Sequence, residues 1–340
     1  MNAHRLIPTA ALAGAVSLGL VALSACAATD DSGRGGGKVA VTASFYPMQF
    51  LAESIGGEHV SVTTLTKPGV EPHDLELKPR QTAQLGEADV IFYLRGVQPA
   101  VDKAIAQSGV ENVVDAASLT SLEKHGTETG GHTHGDEEGA GHGDEHADAH
   151  GDEHGHDEHG GEADALDGAD PHVWLDPVKY AEVAKGVGAA LEKADPDHAA
   201  AYKKNTETLV EKLGGLDTAF KQGLADTGTK TFITTHAAFG YLAERYGLKQ
   251  EAIAGIDPES EPSPARVKEL ETIARRDKVS TVFFETLASD KTAKTLAGDS
   301  GLTTDVLDPL EGITDKTKGR DYFEVMHSNL DALEKALGAK

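Results

Sequence analysis

The sequence predicts an α/β fold of two Rossmann-like lobes with parallel sheets, joined by one long connecting helix. Short apolar segments alternate with helical segments in both halves of the 340-residue chain, an order typical of parallel sheets covered by helices. Two helical segments follow one another in the middle without a strand between them. Polar residues follow several predicted strands, and in parallel sheets such positions lie at the carboxyl edge, where ligands bind.

The first lobe is expected at residues 38–195. Its apolar segments are bounded by Gly, Pro and Asp, which favour turns at the strand ends. The predicted strands are Val39–Ala43, Val60–Thr66, Val90–Leu94 and Asn112–Asp115. The predicted helices are Pro47–Ile55, Arg80–Gly86 and Pro99–Gln107.

Two Asp-Pro pairs predict consecutive helices in the middle of the chain. Asp176-Pro177 supplies an N-cap and a first-turn proline for a helix that ends near Ala194. Asp195-Pro196 repeats the signal and predicts the connecting helix at 196–223. Its apolar positions recur at intervals of three and four, as a packed face requires; they are Leu209, Leu213, Leu216 and Phe220.

The second lobe is expected at residues 224–340, where the alternation resumes. The predicted strands are Thr231–Thr235, Glu251–Ala254, Thr281–Phe284 and Thr304–Leu307. The predicted helices are Ala237–Tyr246, Pro264–Arg276, Asp290–Ser300 and Asp321–Leu337.

One tract dominates the net charge of −25. From Glu123 to Asp170 there are 16 acidic residues, one lysine and nine histidines. Low hydrophobicity and high charge predict disorder for the insert at 126–164, and the acidic balance argues against a nucleic-acid partner. The insert is either a solvated spacer or a loose, unselective metal-binding segment. Its candidate accessory ligands are His132, His134, His142, His146, His150, His154, His156 and His159.

The N-terminal sequence has the pattern of an export signal. Residues 1–25 combine a short basic start with an apolar run, the layout of a signal peptide. The segment Leu23-Ser24-Ala25-Cys26 resembles a bacterial lipobox, which implies lipidation of Cys26. Residues 26–37 are rich in Gly, Ser and Asp, as a flexible tether would be. Because Cys26 is the only cysteine, an intramolecular disulfide is excluded.

Four segments present a possible metal ligand in a turn or just after a strand. The candidates are His73, His172, His236 and Asp308, with Glu311 as the alternative fourth ligand. Each alone could be an exposed loop residue or a cap. Together, three imidazoles and a carboxylate form a tetrahedral set suited to Zn²⁺. Since imidazole is largely neutral near pH 7, little proton release is expected when the metal binds.

Three of these segments resemble the metal-site motifs of a known family. They are Gly69-Val70-Glu71-Pro72-His73, Asp170-Pro171-His172-Val173-Trp174-Leu175-Asp176-Pro177 and Thr235-His236-Ala237-Ala238-Phe239-Gly240-Tyr241. The family is that of the zinc/manganese solute-binding proteins of ABC transporters, and the histidine-rich insert matches its zinc-specific, ZnuA-like branch. The resemblance implies two lobes with the metal between them, and a fourth ligand that varies between Asp, Glu and water.

The resemblance further implies a monomeric zinc receptor outside the cell. It would be lipid-anchored to the outer face of the cytoplasmic membrane and would deliver Zn²⁺ to an ABC permease. Manganese is the less favoured metal, because His236 is an imidazole where manganese relatives usually carry an acidic residue.

Two readings from other classes remain open. If Asp308 does not coordinate, three histidines and a water would resemble the site of a secreted zinc hydrolase. The His-Glu-x-x-His and Gly-x-Ser-x-Gly motifs of hydrolases are absent, so we predict that the protein is not an enzyme. The histidine-rich insert alone would fit a metal-buffering surface protein.

Overall fold

The computed structural model describes residues 37–125 and 168–340. The predicted signal peptide, Cys26, most of the tether and the insert lie outside the described residues. So do the accessory histidines His132, His134, His142, His146, His150, His154, His156 and His159. Residues 38–340 form one compact unit.

The first lobe contains a four-stranded parallel sheet. Its strands are β1 (Val39–Ala43), β2 (Val60–Thr64), β3 (Val90–Tyr93) and β4 (Val113–Asp115). They lie in the order β2-β1-β3-β4, with Val39 opposite Val60 and Val41 opposite Val90. The helices of this part of the chain are α1 (Tyr46–Gly56), α2 (Pro79–Leu85), α3 (Pro99–Ser108) and α4 (Pro177–Ala194).

The second lobe repeats this strand order after the long helix α5 (Ala199–Gly223). Its strands are β5 (Thr231–Thr234), β6 (Lys249–Ala252), β7 (Thr281–Phe284) and β8 (Thr303–Val306), in the parallel order β6-β5-β7-β8. Its helices are α6 (Gly240–Arg245), α7 (Pro264–Asp277), α8 (Lys291–Ser300) and α9 (Tyr322–Leu337). The predicted α/β fold of two parallel sheets is confirmed.

Several element boundaries differ from the sequence prediction, among them the start of α6 at Gly240 instead of Ala237, and two of the differences have a clear physical reason. β6 begins at the polar Lys249, because an edge strand needs only one bonded neighbour and its outer residues can stay exposed. The long helix begins at Ala199, after a 3₁₀ turn at Pro196–His198. Asp195 makes no cap hydrogen bond there; its carboxylate accepts from the Tyr202 hydroxyl at 2.7 Å.

Helix α5 contacts elements of both lobes. Asn205 donates from Nδ2 to the carbonyl of Ile55 at the end of α1, at 2.9 Å. Near the other end of the helix, Phe220 stacks on Tyr246 with ring centroids 5.1 Å apart. The predicted N-cap of α4 is also present, since the Asp176 carboxylate accepts from the Val178 amide.

One apolar cluster extends through both lobes. It joins residues of the first sheet, such as Val41 and Phe92, to Phe232 and Phe283 of the second, with the buried Trp174 among them. The outer face of each sheet has a separate smaller cluster. Because protein interiors are close-packed, a shared core opposes large relative movement of the lobes.

Among residues 37–125 and 168–340, none of the helices combines the length and apolar character that crossing a bilayer requires.

Removal of the Phe220 ring tests how much the packing of α5 contributes to the stability of the protein. Phe220 is fully buried, so Phe220→Ala should lower the free energy of unfolding by about 3–5 kcal/mol. Glu211→Ala, on the exposed face of α5, should change it by no more than about 0.5 kcal/mol. Urea unfolding followed by circular dichroism gives both values, and equal losses in the two variants would contradict the assignment.

Candidate metal centre

His172 lies in the segment that precedes α4 and is fully buried. The Asp170 carboxylate contacts it twice: Oδ1 accepts from the His172 amide at 2.9 Å and lies 2.7 Å from Nδ1. Trp174 packs against the imidazole with centroids 5.1 Å apart. With Nδ1–H donating to a carboxylate, Nε2 is left with its lone pair, the form that a metal requires.

His236 follows the end of β5 and has only 1% exposure. Its Nδ1 lies 2.8 Å from Oε1 of Glu285, which directly follows β7. Thr235 donates a further hydrogen bond to the same oxygen at 2.6 Å. The neighbouring parallel strands β5 and β7 therefore place an imidazole and its orienting carboxylate at one sheet edge.

His73 lies in the loop between β2 and α2, and its side chain is 7% exposed. Its ring centroid lies 5.5 Å from that of His172 and 6.1 Å from that of His236. The ring therefore lies at the outer edge of the group, nearest to solvent.

Glu311 enters the group through a turn after β8. Leu310 has φ of 60°, an uncommon conformation for a residue other than glycine. The Asp308 carboxylate accepts from the Leu310 amide at 2.8 Å and from the Thr286 hydroxyl at 2.9 Å, which stabilises this turn. Glu311 is thereby carried inward and is 1% exposed.

The three imidazoles converge on one oxygen atom. Oε1 of Glu311 lies 3.2 Å from Nε2 of His73, 3.3 Å from that of His172 and 3.4 Å from that of His236. A tetrahedral zinc ion with ligands at about 2.0–2.1 Å separates its donor atoms by about 3.3 Å. The distances from the Glu311 oxygen therefore already have the size of a zinc tetrahedron's edges.

Several of the buried nitrogen and oxygen atoms that could bind a metal have no hydrogen-bond partner. Nε2 of His172, Nε2 of His236 and Oε2 of Glu311 are buried and without a hydrogen-bond partner. Burying polar atoms unpaired is costly, and lone pairs that face a carboxylate oxygen repel it. A divalent cation at the centre of the group would remove both costs, so the residues fit a metal ion.

The carboxylates around the metal-free site favour the protonated form of two of its imidazoles. Burial alone would lower the pKa of His172 and His236. Asp170 and Glu311 nevertheless raise the pKa of His172, and Glu285 and Glu311 raise that of His236 well above its usual range. Burial would raise the pKa of Glu311, but the neighbouring imidazoles hold it well below its usual range. In contrast to the little proton release expected from the sequence, these raised pKa values predict that zinc displaces protons from His172 and His236.

Of the residues singled out in the sequence, the structure brings together His73, His172, His236 and Glu311. Asp308 is outside this group, and both of its carboxylate oxygens accept hydrogen bonds in the turn; burial, followed by smaller effects, raises its pKa to about 6. The roles of Asp170 and Glu285 were missed. A polar residue directly after the buried strand β7 was the available signal for Glu285.

Comparison with known proteins identifies the family. The sequence profile described as "ZnuA: Zinc-uptake complex component A periplasmic" matches residues 41–336. The chain belongs to this ZnuA family. The predicted resemblance to the zinc branch is confirmed.

Relatives in the ZnuA family are named for zinc. The high-affinity zinc uptake system protein ZnuA of Bacillus subtilis is 35% identical over 312 residues, which cover 90% of this chain and 89% of that protein. The zinc-binding lipoprotein AdcA of Streptococcus pneumoniae serotype 4 is 33% identical over 304 residues, 88% of this chain and 56% of that protein. The chain thus spans about half the length of the AdcA relatives.

A solved structure of a relative has the same fold. The Zn(II)-bound ZnuA-like domain of Streptococcus pneumoniae AdcA superimposes with a TM-score of 0.68 at 30% identity. The match covers 88% of this chain and 99% of that domain. It confirms the two-lobe α/β fold of this ZnuA family member.

Replacement of Glu285 tests the orienting role of its carboxylate. Glu285→Gln keeps the shape but removes the charge opposite His236 Nδ1, so zinc affinity should fall by about 10–100-fold. Competition with a chromophoric chelator measures the affinity. Glu271→Gln, in α7 with its side chain 30% exposed near Arg275 and outside the group of candidate ligands, is the control and should bind zinc as the wild type does. Wild-type affinity in Glu285→Gln would contradict the assignment.

The raised imidazole pKa values predict a pH dependence. Their contribution to metal-free stability is complete below the ordinary histidine pKa of about 6.5 and is lost as the pH rises through the raised values. Zinc competes with these protons, so the zinc-induced rise in melting temperature should be larger at pH 8 than at pH 6. Calorimetric titration in two buffers of different ionisation enthalpy should show proton release, and a buffer-independent heat would refute it.

Proposed function

We propose that the protein binds Zn²⁺ between its lobes as an extracytoplasmic receptor and delivers it to an ABC-type permease. The observation that carries the proposal is the convergence of three imidazole nitrogens on one Glu311 oxygen, at distances that suit tetrahedral zinc. Family membership supports transport as the purpose of binding, since relatives are named for zinc uptake. Zn²⁺ is therefore the cargo.

The donor set favours zinc over manganese. His73, His172 and His236 offer nitrogen, and one carboxylate offers oxygen. Imidazole suits zinc, whereas Mn²⁺ prefers sites dominated by carboxylate, carbonyl and water oxygens. We propose Glu311 as the fourth ligand and assign Asp308 to the turn that positions it.

The same geometry favours a receptor over a zinc hydrolase. Catalytic zinc keeps an open position for water beside three protein ligands. In this site the Glu311 oxygen lies against all three histidines, and only His73 has appreciable exposure, 7% of its side chain. A closed and nearly dry site suits holding an ion, so we propose that the protein is not an enzyme.

Two parts outside the described residues complete the proposal. Cys26 would carry the lipid that anchors a monomer to the outer face of the cytoplasmic membrane, since a relative is named as a zinc-binding lipoprotein. The histidine-rich insert at 126–164 would collect Zn²⁺ weakly, because its sequence offers many imidazoles and carboxylates.

Zinc affinity in two carboxylate variants separates the proposed ligand from its neighbour. Glu311→Gln should weaken zinc binding by more than the roughly 10–100-fold expected for an orienting residue, because it alters a ligand itself. Asp308→Asn keeps an oxygen that can accept from the Leu310 amide and should lose less. Competition titration of the stripped mature protein with Zn²⁺ and Mn²⁺ measures both.

The titration also tests the function itself. The wild type should prefer Zn²⁺, and the preference should shrink in His236→Ala. A wild-type preference for Mn²⁺, or unchanged zinc binding in Glu311→Gln, would overturn the proposal.

A further inference from the structure

Asn329 is a buried polar residue in the apolar face of α9. The buried residues of this helix recur at intervals of three and four, and Asn329 lies in the middle of the series with 2% exposure. The other buried residues of the face are Tyr322, Val325, Met326, Leu330, Ala332, Leu333 and Leu337. Burial of an amide costs free energy unless the amide forms hydrogen bonds, whereas an apolar side chain would pack there without that cost. The amide therefore requires a partner.

Both polar atoms of the Asn329 side chain bond to the main chain of Asp308. Oδ1 of Asn329 accepts from the Asp308 amide at 2.9 Å, and Nδ2 donates to the Asp308 carbonyl at 2.7 Å. Asp308 is only 3% exposed, so its main-chain groups have little access to water. Without Asn329 they would be buried and unpaired, which proteins rarely tolerate.

These two bonds continue the pairing of β8 beyond the end of the strand. β8 lies at the edge of its sheet beside β7, and the Leu307 amide donates to the Phe284 carbonyl at 3.1 Å. Asp308 is the next residue, and its main chain bonds to Asn329 of α9 instead. A helix side chain thus takes over from the neighbouring strand at the residue where the turn toward Glu311 begins.

Other hydrogen bonds of this turn hold different parts of it. The Leu310 amide and the Thr286 hydroxyl donate to the Asp308 carboxylate at 2.8 and 2.9 Å. Trp174 donates from Nε1 to a carbonyl in the middle of the turn at 2.7 Å. These bonds fix the Asp308 side chain and the centre of the turn. The pair made by Asn329 fixes the main chain at its start.

From this arrangement we propose that Asn329 is a positioning residue for the metal site, which acts through Asp308 on Glu311. The inference rests on the proposed function, in which Glu311 is the fourth zinc ligand. Oε1 of Glu311 lies 3.2, 3.3 and 3.4 Å from the three imidazole nitrogens, so a displacement of the turn changes all three distances at once. Residues that hold a ligand in place affect metal affinity although they do not touch the metal.

Zinc affinity of the full mature chain, measured by competition with a chromophoric chelator, tests this role. Asn329→Ala should weaken binding of the tight zinc ion by about tenfold, the lower end of the range for residues that orient a ligand. Asn329→Asp has nearly the same shape, so it removes the Nδ2 donor without opening a cavity and should also lose affinity. This second variant keeps the test available if Asn329→Ala does not fold.

Asn205→Ala is the matched control for these variants. Asn205 also donates from Nδ2 to a main-chain carbonyl, that of Ile55 at 2.9 Å, but it lies in α5 and outside the group of candidate ligands. The substitution removes the same kind of hydrogen bond away from the turn, so this variant should bind zinc as the wild type does. An equal loss of affinity in Asn205→Ala and Asn329→Ala would overturn the positioning role.

Combination with Glu311→Gln separates positioning from a general loss of stability. If Asn329 acts through Glu311, Asn329→Ala should change zinc affinity by less than about twofold in the Glu311→Gln background. Wild-type affinity in a folded Asn329 variant, or an undiminished loss in the double variant, would overturn the proposal. Failure of the proposed function looks different: Glu311→Gln alone would then bind zinc as the wild type does, which removes the ligand that Asn329 is inferred to position.

Discussion

The structure depends on one electrostatic constraint, the convergence of three imidazole nitrogens on a single buried oxygen of Glu311. Without a cation or protons, this arrangement places lone pairs against a carboxylate inside a nearly dry cleft. The surrounding protein therefore has to hold the group together against repulsion and then exchange protons for a metal. Each lobe contributes candidate metal ligands, so the constraint also requires the two lobes to keep their relative position.

The relative position of the lobes is maintained by packing contacts that include the proposed metal ligands. Trp174 lies in the shared core, contacts the His172 ring and donates from Nε1 to the Pro309 carbonyl at 2.7 Å. It thus joins the loop of a first-lobe ligand to the loop that carries Glu311. Tyr322 of α9 adds a second link, since its hydroxyl donates to the Trp174 carbonyl at 2.7 Å. The carboxylates behind the imidazoles then need to set only ring orientation and tautomer.

The sequence was sufficient for the fold and for the selection of the three histidines that the structure groups together, because strand–helix alternation and rigid Pro-, Gly- and Thr-containing turns are local signals. It was not sufficient to choose between Asp308 and Glu311. That choice depends on the left-handed conformation of Leu310, which turns Glu311 inward and leaves Asp308 to stabilise the bend. The partner of His236 is Glu285, 49 residues further along the chain, so only the pairing of β5 with β7 reveals it.

The same packing indicates how an ion enters and leaves. A hinge opening would separate Trp174 from Pro309 and divide the shared apolar core. The loop 67–78 that carries His73 has mainly local turn hydrogen bonds, such as Val70 N to Lys67 O at 3.1 Å, and most of its residues are partly or fully exposed. Segments with few buried contacts open at the least cost in free energy. Displacement of this loop would remove one proposed ligand, His73, while His172, His236 and Glu311 stay in place. Ion exchange is therefore expected through local opening on the His73 side.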